Sequence, residues 1–334
     1  MEDNSPLRVV AIGGGTGLSA LLDGLKRYTH PAETGLPAID ITAIVTVTDD
    51  GGSSGRLRRD FDVLPPGDIR NCMVALSEDE ALLSRLFQYR FEAGHGLKGH
   101  SFGNLFLTAL THVMGNFPDA VRASSEVLKI GGRIYPSTDQ LVALQATLAN
   151  GATVTGETSI SKSRHRIQSI RLLPRAVKPL PEALSAIAEA DAITLGPGSL
   201  FTSVVPNLLV HGISDAIRQS PAVKAYFVNL MWQPGETVNF TASDHVRAIH
   251  KHARGTLLDY AVVNIRPITQ ALKQRYARQE AQPVEVDVDA IFKMGIKVMA
   301  GNLVQQSDKV RHNPTAAAAV VVKLAQEGRR RRHS

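Results

Sequence analysis

Two glycine-rich runs carry the residue types best suited to holding an anion. Gly13-Gly14-Gly15-Thr16-Gly17 stands between an apolar run, Leu7 to Ile12, and a helical pattern from Leu18 to Leu25. Glycines let a backbone approach an anion closely, and the free N–H groups and dipole of a helix start favour negative charge. The spacing is not G-x-G-x-x-G, since position 18 is Leu, and no G-K-[ST] follows as a P-loop requires. The second run, Gly196-Pro197-Gly198-Ser199, again follows a predicted strand and precedes a helix. It lacks the G-x-S-x-G of a nucleophile elbow, so Ser199 reads as a helix cap and hydroxyl donor. Two such cradles at the carboxyl edge of one parallel sheet suit a diphosphate. Asn229, ending a predicted strand from Ala225, falls at the same edge.

A third segment, Thr48-Asp49-Asp50-Gly51-Gly52-Ser53-Ser54-Gly55, begins where a strand from Ile39 to Val47 ends. Asp49 and Asp50 are suited to coordinating Mg²⁺ beside phosphates, or to accepting ribose hydroxyls. The Gly-Ser run after them reads as a mobile lid, with Arg56, Arg58 and Arg59 as counter-charge. In Pro65-Pro66-Gly67-Asp68-Ile69-Arg70-Asn71, Asp68 sits near a helix cap, and Arg70 and Asn71 can reach back towards phosphates or a base. Gly99-His100-Ser101-Phe102-Gly103-Asn104 is a similar helix start, with Ser101 as cap and His100 and Asn104 available to a ligand. His100 is a candidate general acid or base. His245, His250 and His252 contain no i, i+4 pair and read as surface residues rather than metal ligands.

These segments need a scaffold that brings them to one edge. Strands are expected at Leu7–Ile12, Ile39–Val47, Ala192–Leu195, Ala225–Asn229, Tyr260–Asn264 and Ile296–Met299, most of them followed by helical patterns. That alternation predicts an α/β fold, a doubly wound, mostly parallel sheet covered on both faces. Between its halves lie helical patterns at Asp79–Phe91, Phe102–Val113 and Pro118–Leu128, then a hairpin. Leu141–Leu148 and Ala152–Thr155 flank Asn150-Gly151, whose residues tolerate positive φ, and Ile167–Leu173 joins that small sheet. The expected division is a core of residues 1–78 and 176–325, a helical and hairpin insertion at 79–175, and a disordered basic tail at 326–334.

Composition narrows the functional classes. With 334 residues and 43% hydrophobic content the chain can bury a large core, so a disordered or fibrous chain is excluded. One cysteine, Cys72, excludes a disulfide framework and a thiolate-rich zinc site. No stretch approaches the ~20 apolar residues that span a bilayer. Met1 to Arg8 has no basic stretch leading into an apolar one, so the expectation is a cytoplasmic protein without a secretory signal. The net charge is +6, and discounting the four charges of Arg329 to Arg332 leaves +2. No aromatic residues interleave with that run, so specific nucleic-acid binding is not expected.

The runs GGGTGLSALL, TVTDDGGSSGRLR, PPGDIRNC, GLKGHSFGNLFLTAL, LGPGSLFTSVVPNLL and QPGET, in this order, resemble the bacterial gluconeogenesis factor family. That family is related to the 2-phospho-L-lactate transferases of coenzyme F420 synthesis, and the matching segments extend from about Val9 to Asn313. The resemblance implies a Rossmann-like core and a cytoplasmic protein needed for growth and cell shape on gluconeogenic carbon. It also implies a UDP-sugar as regulatory ligand, notably UDP-N-acetylglucosamine. No cofactor is required beyond an optional Mg²⁺; protein partners in cell-wall synthesis and a homo-oligomeric state are compatible. Carried over, the nucleotide site takes Gly13 to Gly17, Asp49, Asp50, Asn104 and Gly196 to Ser199, with Tyr276 and Arg311 towards the sugar nucleotide. Tyrosine can stack on a ring and arginine can grip a diphosphate bidentately. Trp232 stands where a small polar residue is usual before QPGET in the family it resembles and is expected to narrow or restack the sugar or base pocket, and Thr315 is a candidate phosphate acceptor. The alternative implied by the relatives is a Mg²⁺-dependent transferase that moves a phospho-acid from a nucleoside diphosphate to an alcohol.

Overall fold

The computed structural model describes residues 5–31, 35–78 and 82–333. Its strands, in chain order, are β1 (Leu7–Gly13), β2 (Ile39–Val45), β3 (Arg133–Pro136), β4 (Ala143–Leu148), β5 (Thr153–Thr155), β6 (Ile167–Leu173), β7 (Ala192–Leu195), β8 (Val223–Phe227), β9 (Tyr260–Asn264), β10 (Lys297–Gly301), β11 (Val304–Gln306) and β12 (Val310–His312). Seven of them form one parallel sheet in the order β10-β9-β8-β7-β1-β2-β3. β1 is buried at all but one position and β7 throughout, as strands covered on both faces must be. After β1 the Gly15–Lys26 helix buries Leu18, Leu21, Leu22 and Leu25, a spacing of three and four that puts them on one face. The chain adds β2 and β3 on one side of β1 and β7 to β10 on the other. The loops that leave β1 and β7 therefore open a crevice at the carboxyl edge, at the switch point of the sheet.

The small sheet is antiparallel, in the order β5-β4-β6, and β4 alternates between buried and half-buried residues. Its turn falls at Asn150-Gly151, where Gly151 has φ +84° and the Asn150 Oδ1 accepts the Ala152 N–H. Among the described residues no single helix is long and apolar enough to cross a membrane.

Three expectations need correction. The 79–175 insertion does not stand apart from the core: its residues 133–136 form β3, which pairs in parallel with β2 from Thr42↔Arg133 to Val45↔Pro136. A partner there covers the open edge of β2, and four residues are too few to show a periodicity. Of the helix expected at 79–91, residues 79–81 lie outside the described residues, as do 1–4, and the helix itself spans Leu83–Gln88. Secondly, the Gly-Ser run is not a lid. Gly52–Phe61 is a helix with Ser53 and Ser54 buried, and Gly55 packs so closely that a Cβ would lie 1.9 Å from the Asp50 carbonyl oxygen.

Thirdly, the basic tail is ordered as far as the structure describes it. Pro314–His333 is a single helix. The Arg329 guanidinium meets the buried Asp191 carboxylate at 2.8 Å, Arg332 donates to the Ala190 carbonyl at 2.5 Å, and Arg331 pairs with Glu327 at 2.6 Å. The acids that neutralise this run lie next to β7 and on the helix itself, so its like charges do not repel it into solvent. Ser334 lies outside the described residues.

Candidate functional site

The two glycine loops meet. Gly15 has φ +63°, a left-handed conformation that glycine adopts without strain, and it opens the first helix. A Cβ on Gly17 would lie 2.5 Å from the Pro197 carbonyl oxygen, and one on Gly198 would lie 3.2 Å from the Gly14 carbonyl oxygen. Only bare backbone allows this contact. Gly13 and Gly196 sit one layer lower, where the Gly13 carbonyl accepts the Thr46 N–H at 2.9 Å and the Gly196 N–H reaches the Ile12 carbonyl at 2.8 Å.

Above the loops lies a cavity of about 340 Å³. Gly14 to Gly17 and Pro197 to Ser199 form one side, and Asn229 to Pro234, Tyr276 and Val310 to His312 form the other. No Asp or Glu lines it, and Arg311 is its one cation among the described residues. With the helix start pointing in and no acid in that helix's first turn, the cavity favours an anion.

Side-chain hydrogen bonds pass along its wall. The Tyr226 hydroxyl donates to the Asn229 Oδ1 at 3.0 Å, the Asn229 amide to the Gln233 Oε1 at 2.7 Å, and the Gln233 amide to the Ser199 Oγ at 2.7 Å. Ser199 thus presents a fixed hydroxyl, but that hydroxyl does not cap the following turn as expected. That turn, Leu200–Val204, is held from behind by buried Glu236, whose carboxylate accepts the Phe201 N–H at 3.0 Å and the Thr202 hydroxyl at 2.9 Å. Behind the Met231 and Tyr276 side of the cavity lies a small apolar cluster of Met231, Ile268 and Leu272, with Tyr276 and Val310 packed on it. The Tyr276 hydroxyl accepts the Val310 N–H at 3.1 Å, which fixes the β11–β12 hairpin that presents exposed Arg311. Burial lowers the His312 pKa to about 4, so the ring stays neutral at the back of the cavity.

The acids lie beyond the first glycine loop, outside the cavity. Asp68 does not cap its own helix; its carboxylate accepts the Gly15 N–H, and a Cβ on Gly14 would meet its Oδ2 at 2.7 Å. Burial, with Asp49 next in effect, raises its pKa to about 6. A carboxylate thus already occupies part of the helix's positive end, leaving the Thr16 and Gly17 side for an anion. The Asp49 Oδ1 accepts the Gly51 N–H at 2.8 Å, and the Asp50 Oδ1 accepts the Thr158 N–H and hydroxyl at 2.9 and 2.7 Å. Each carboxylate is engaged locally, and among the described residues no group of three or more His, Cys, Asp or Glu is arranged to hold a metal ion.

Several expected site residues stand on this acid side rather than in the cavity. Arg70 is buried and donates to Asn71 at 2.6 Å, and Asn104 is buried with its Oδ1 unpartnered among the described residues. Ser101 caps its helix by accepting the Asn104 N–H at 3.3 Å, and buried His100 sits 3.0 Å from the Ser53 Oγ. Burial lowers the His100 pKa. Arg56 donates to the Lys98 carbonyl at 2.9 Å, while Arg58 lies close enough to Asp50 and Asp49 to feel both. The three later histidines are not surface residues: His245 is fully buried with its pKa lowered to about 4, and His250 and His252 are half-buried. Trp232 does line the cavity, pinned by its indole N–H to the Phe240 carbonyl at 3.0 Å. Thr315 is exposed and takes a hydrogen bond from Arg27 at 3.3 Å.

Sequence reasoning does not single out Gln233, Ser203 or His312, which line the cavity, or Glu236 behind it. Gln233 and Glu236 lie in the QPGET run, but their roles depend on Ser199 and Phe201, more than thirty residues away.

The fold and the crevice at its switch point define a Rossmann-like α/β protein with two glycine loops in contact at the carboxyl edge of its sheet. The chain belongs to the family of the 2-phospho-L-lactate transferase CofD, whose family model matches residues 9–304, and within it groups with the gluconeogenesis factors. It is 50% identical to a putative gluconeogenesis factor of Nostoc sp., over 95% of this chain and 68% of that one. It is 44% identical to the gluconeogenesis factor of Bacillus subtilis, over 96% of this chain and 98% of that one. An X-ray structure of a Bacillus halodurans protein superposes with a TM-score of 0.90 at 46% identity, covering 95% of this chain and 100% of that one.

Proposed function

We propose that this is a cytoplasmic regulatory protein that holds a UDP-sugar, UDP-N-acetylglucosamine or a close analogue, in the cavity above the two glycine loops. It serves growth and cell shape on gluconeogenic carbon through protein partners in cell-wall synthesis. One observation carries the ligand class: a cavity without acids, floored by two touching glycine loops and faced by Arg311 and Tyr276. The loops and helix start suit the diphosphate, Arg311 the charge that remains, and Tyr276 and Trp232 the flat base or the sugar. The naming of the relatives supports the link to gluconeogenic growth.

The test is calorimetric titration with UDP-N-acetylglucosamine, with and without Mg²⁺, followed by chromatography of the recovered ligand. Saturable binding of intact ligand is expected, weakened roughly 10- to 100-fold by Arg311→Ala, the range for one charge-assisted contact. Absence of binding removes the ligand assignment. A second reading, transfer of a phospho-acid from a nucleoside diphosphate, is favoured by Asp49, Asp68 and Glu157 gathered just beyond the first glycine loop. Mg²⁺-dependent recovery of UMP in place of intact ligand, which requires cleavage of the diphosphate, would favour that chemistry instead; recovery of UDP would mean cleavage at the sugar and would overturn both readings.

A further inference from the structure

A second cleft, of about 400 Å³, opens between β6 and the Ala242–His252 helix. Its floor is aromatic: Phe201 and Phe240, both buried, meet edge to face with centroids 6.0 Å apart. Its rim is cationic. The Arg166 guanidinium lies over the Phe240 ring, 5.0 Å from the centroid, and makes no ion pair among the described residues. Arg247 pairs with Asp244 at 2.9 Å, and the Lys251 ammonium donates to the Gln168 carbonyl at 2.7 Å while its residue stays exposed. Three cations against one carboxylate leave two positive charges in excess. His252 adds neither charge nor a free donor, because its Nδ1 is bonded to the Ala248 carbonyl and its Nε2 accepts the Ile170 N–H.

We infer that this cleft is a second ligand site, for a small molecule that joins a flat ring to a dianion such as a phosphate monoester. The ring matches the phenylalanine floor and the stackable guanidinium, and the dianion matches the two uncompensated cations. Two features set it apart from the first cavity. It has no glycine loop and no helix start, so the anion is read by side chains alone. It also lies across the Leu200–Val204 turn, with Phe201 facing the cleft and Ser203 facing the first cavity.

The test is titration of the full chain with 1-naphthyl phosphate, followed by its own fluorescence, with 1-naphthoate and inorganic phosphate as comparisons. Saturable one-to-one binding is expected, weakened roughly tenfold by Arg166→Ala and by Lys251→Ala and unaltered by Arg311→Ala. Both rim residues are exposed, and circular dichroism verifies that each variant is folded. Naphthoate should bind more weakly, and inorganic phosphate should compete poorly. Loss on Arg311→Ala with Arg166→Ala unchanged would place the probe in the first cavity and overturn the assignment. Equal affinity for inorganic phosphate or for naphthoate would overturn the ligand class, and no saturation at millimolar probe would overturn the site.

Discussion

At the scale of single residues, the cavity depends on what is absent at Gly17 and what is held at Gln233. A methyl group on Gly17 would lie 2.5 Å from backbone, which cannot swing aside as a side chain can. Gly17→Ala should therefore part the loops and destabilise the protein by about 1–3 kcal/mol, as overpacking does; a lowered melting temperature with diminished ligand binding checks this. Gln233→Ala acts differently, because it removes two 2.7 Å hydrogen bonds and leaves the loops in contact. At about 1 kcal/mol for each bond, stability should fall by roughly 2 kcal/mol, read as a lowered melting temperature, and UDP-N-acetylglucosamine affinity should fall as Ser199 and Asn229 lose their fixed positions; unchanged affinity would mean that Ser199 and Asn229 need no such fixing. The glycine loops were legible in the sequence because their signal is local, a strand followed by glycines and a helix. Gln233 was not, because its partner is Ser199, distant in sequence and adjacent only across two strands of the sheet.

At the scale of elements, the same contrast separates β7 from β3 and from the last helix. β7, buried throughout and bounded by Asp191 and Gly196, is legible to the residue, whereas β3 has four residues and makes sense only beside β2. A helix after Pro314 is legible, but its basic end is missed as an ordered element, because four consecutive arginines read as solvated until Asp191 is known to lie beside them. Gly328 completes that docking: a Cβ there would lie 1.8 Å from the Asp191 carbonyl oxygen. Gly328→Ala should lift the end of the helix off the sheet, and Arg329→Ala should leave the Asp191 carboxylate, 2% exposed, short of its main counter-charge. Gly328→Ala is expected to cost about 1–3 kcal/mol, as overpacking does, and Arg329→Ala about 3 kcal/mol, the lower end for a broken buried pair. Urea midpoints check both, and an Arg329→Ala midpoint matching that of the unaltered chain would show that the pair contributes nothing to docking.

At the scale of the whole molecule, the insertion and the core meet at an acid cluster that makes stability depend on pH. Glu157, on the short helix after β5, is pushed up to about 9, first by burial and then by the charges of Asp49 and Asp68 from the core. An acid whose pKa is raised by folding keeps its proton in the folded state after the unfolded chain has lost it. The unfolded state then binds fewer protons, so stability falls as pH rises through that window. For Glu157 the window runs from its ordinary value of 4.5 to about 9. Asp68 acts in the same sense only up to about 6. His245 and His312, each lowered to about 4, act in the opposite sense between that value and 6.5. Above pH 6.5 these contributions have ended, and Glu157 remains together with Glu236, whose carboxyl burial also pushes up and which acts in the same sense. Unfolding free energy should thus fall between pH 7 and 9 by up to roughly 1.4 kcal/mol per pH unit for each carboxyl. In Glu157→Gln, which keeps the shape and removes the ionisation, the decline should flatten. Denaturant titrations of both proteins across that range decide it: parallel declines would locate the pH dependence elsewhere, and a shallower decline in the variant would show that the insertion is bound to the core through a carboxyl that folding keeps protonated.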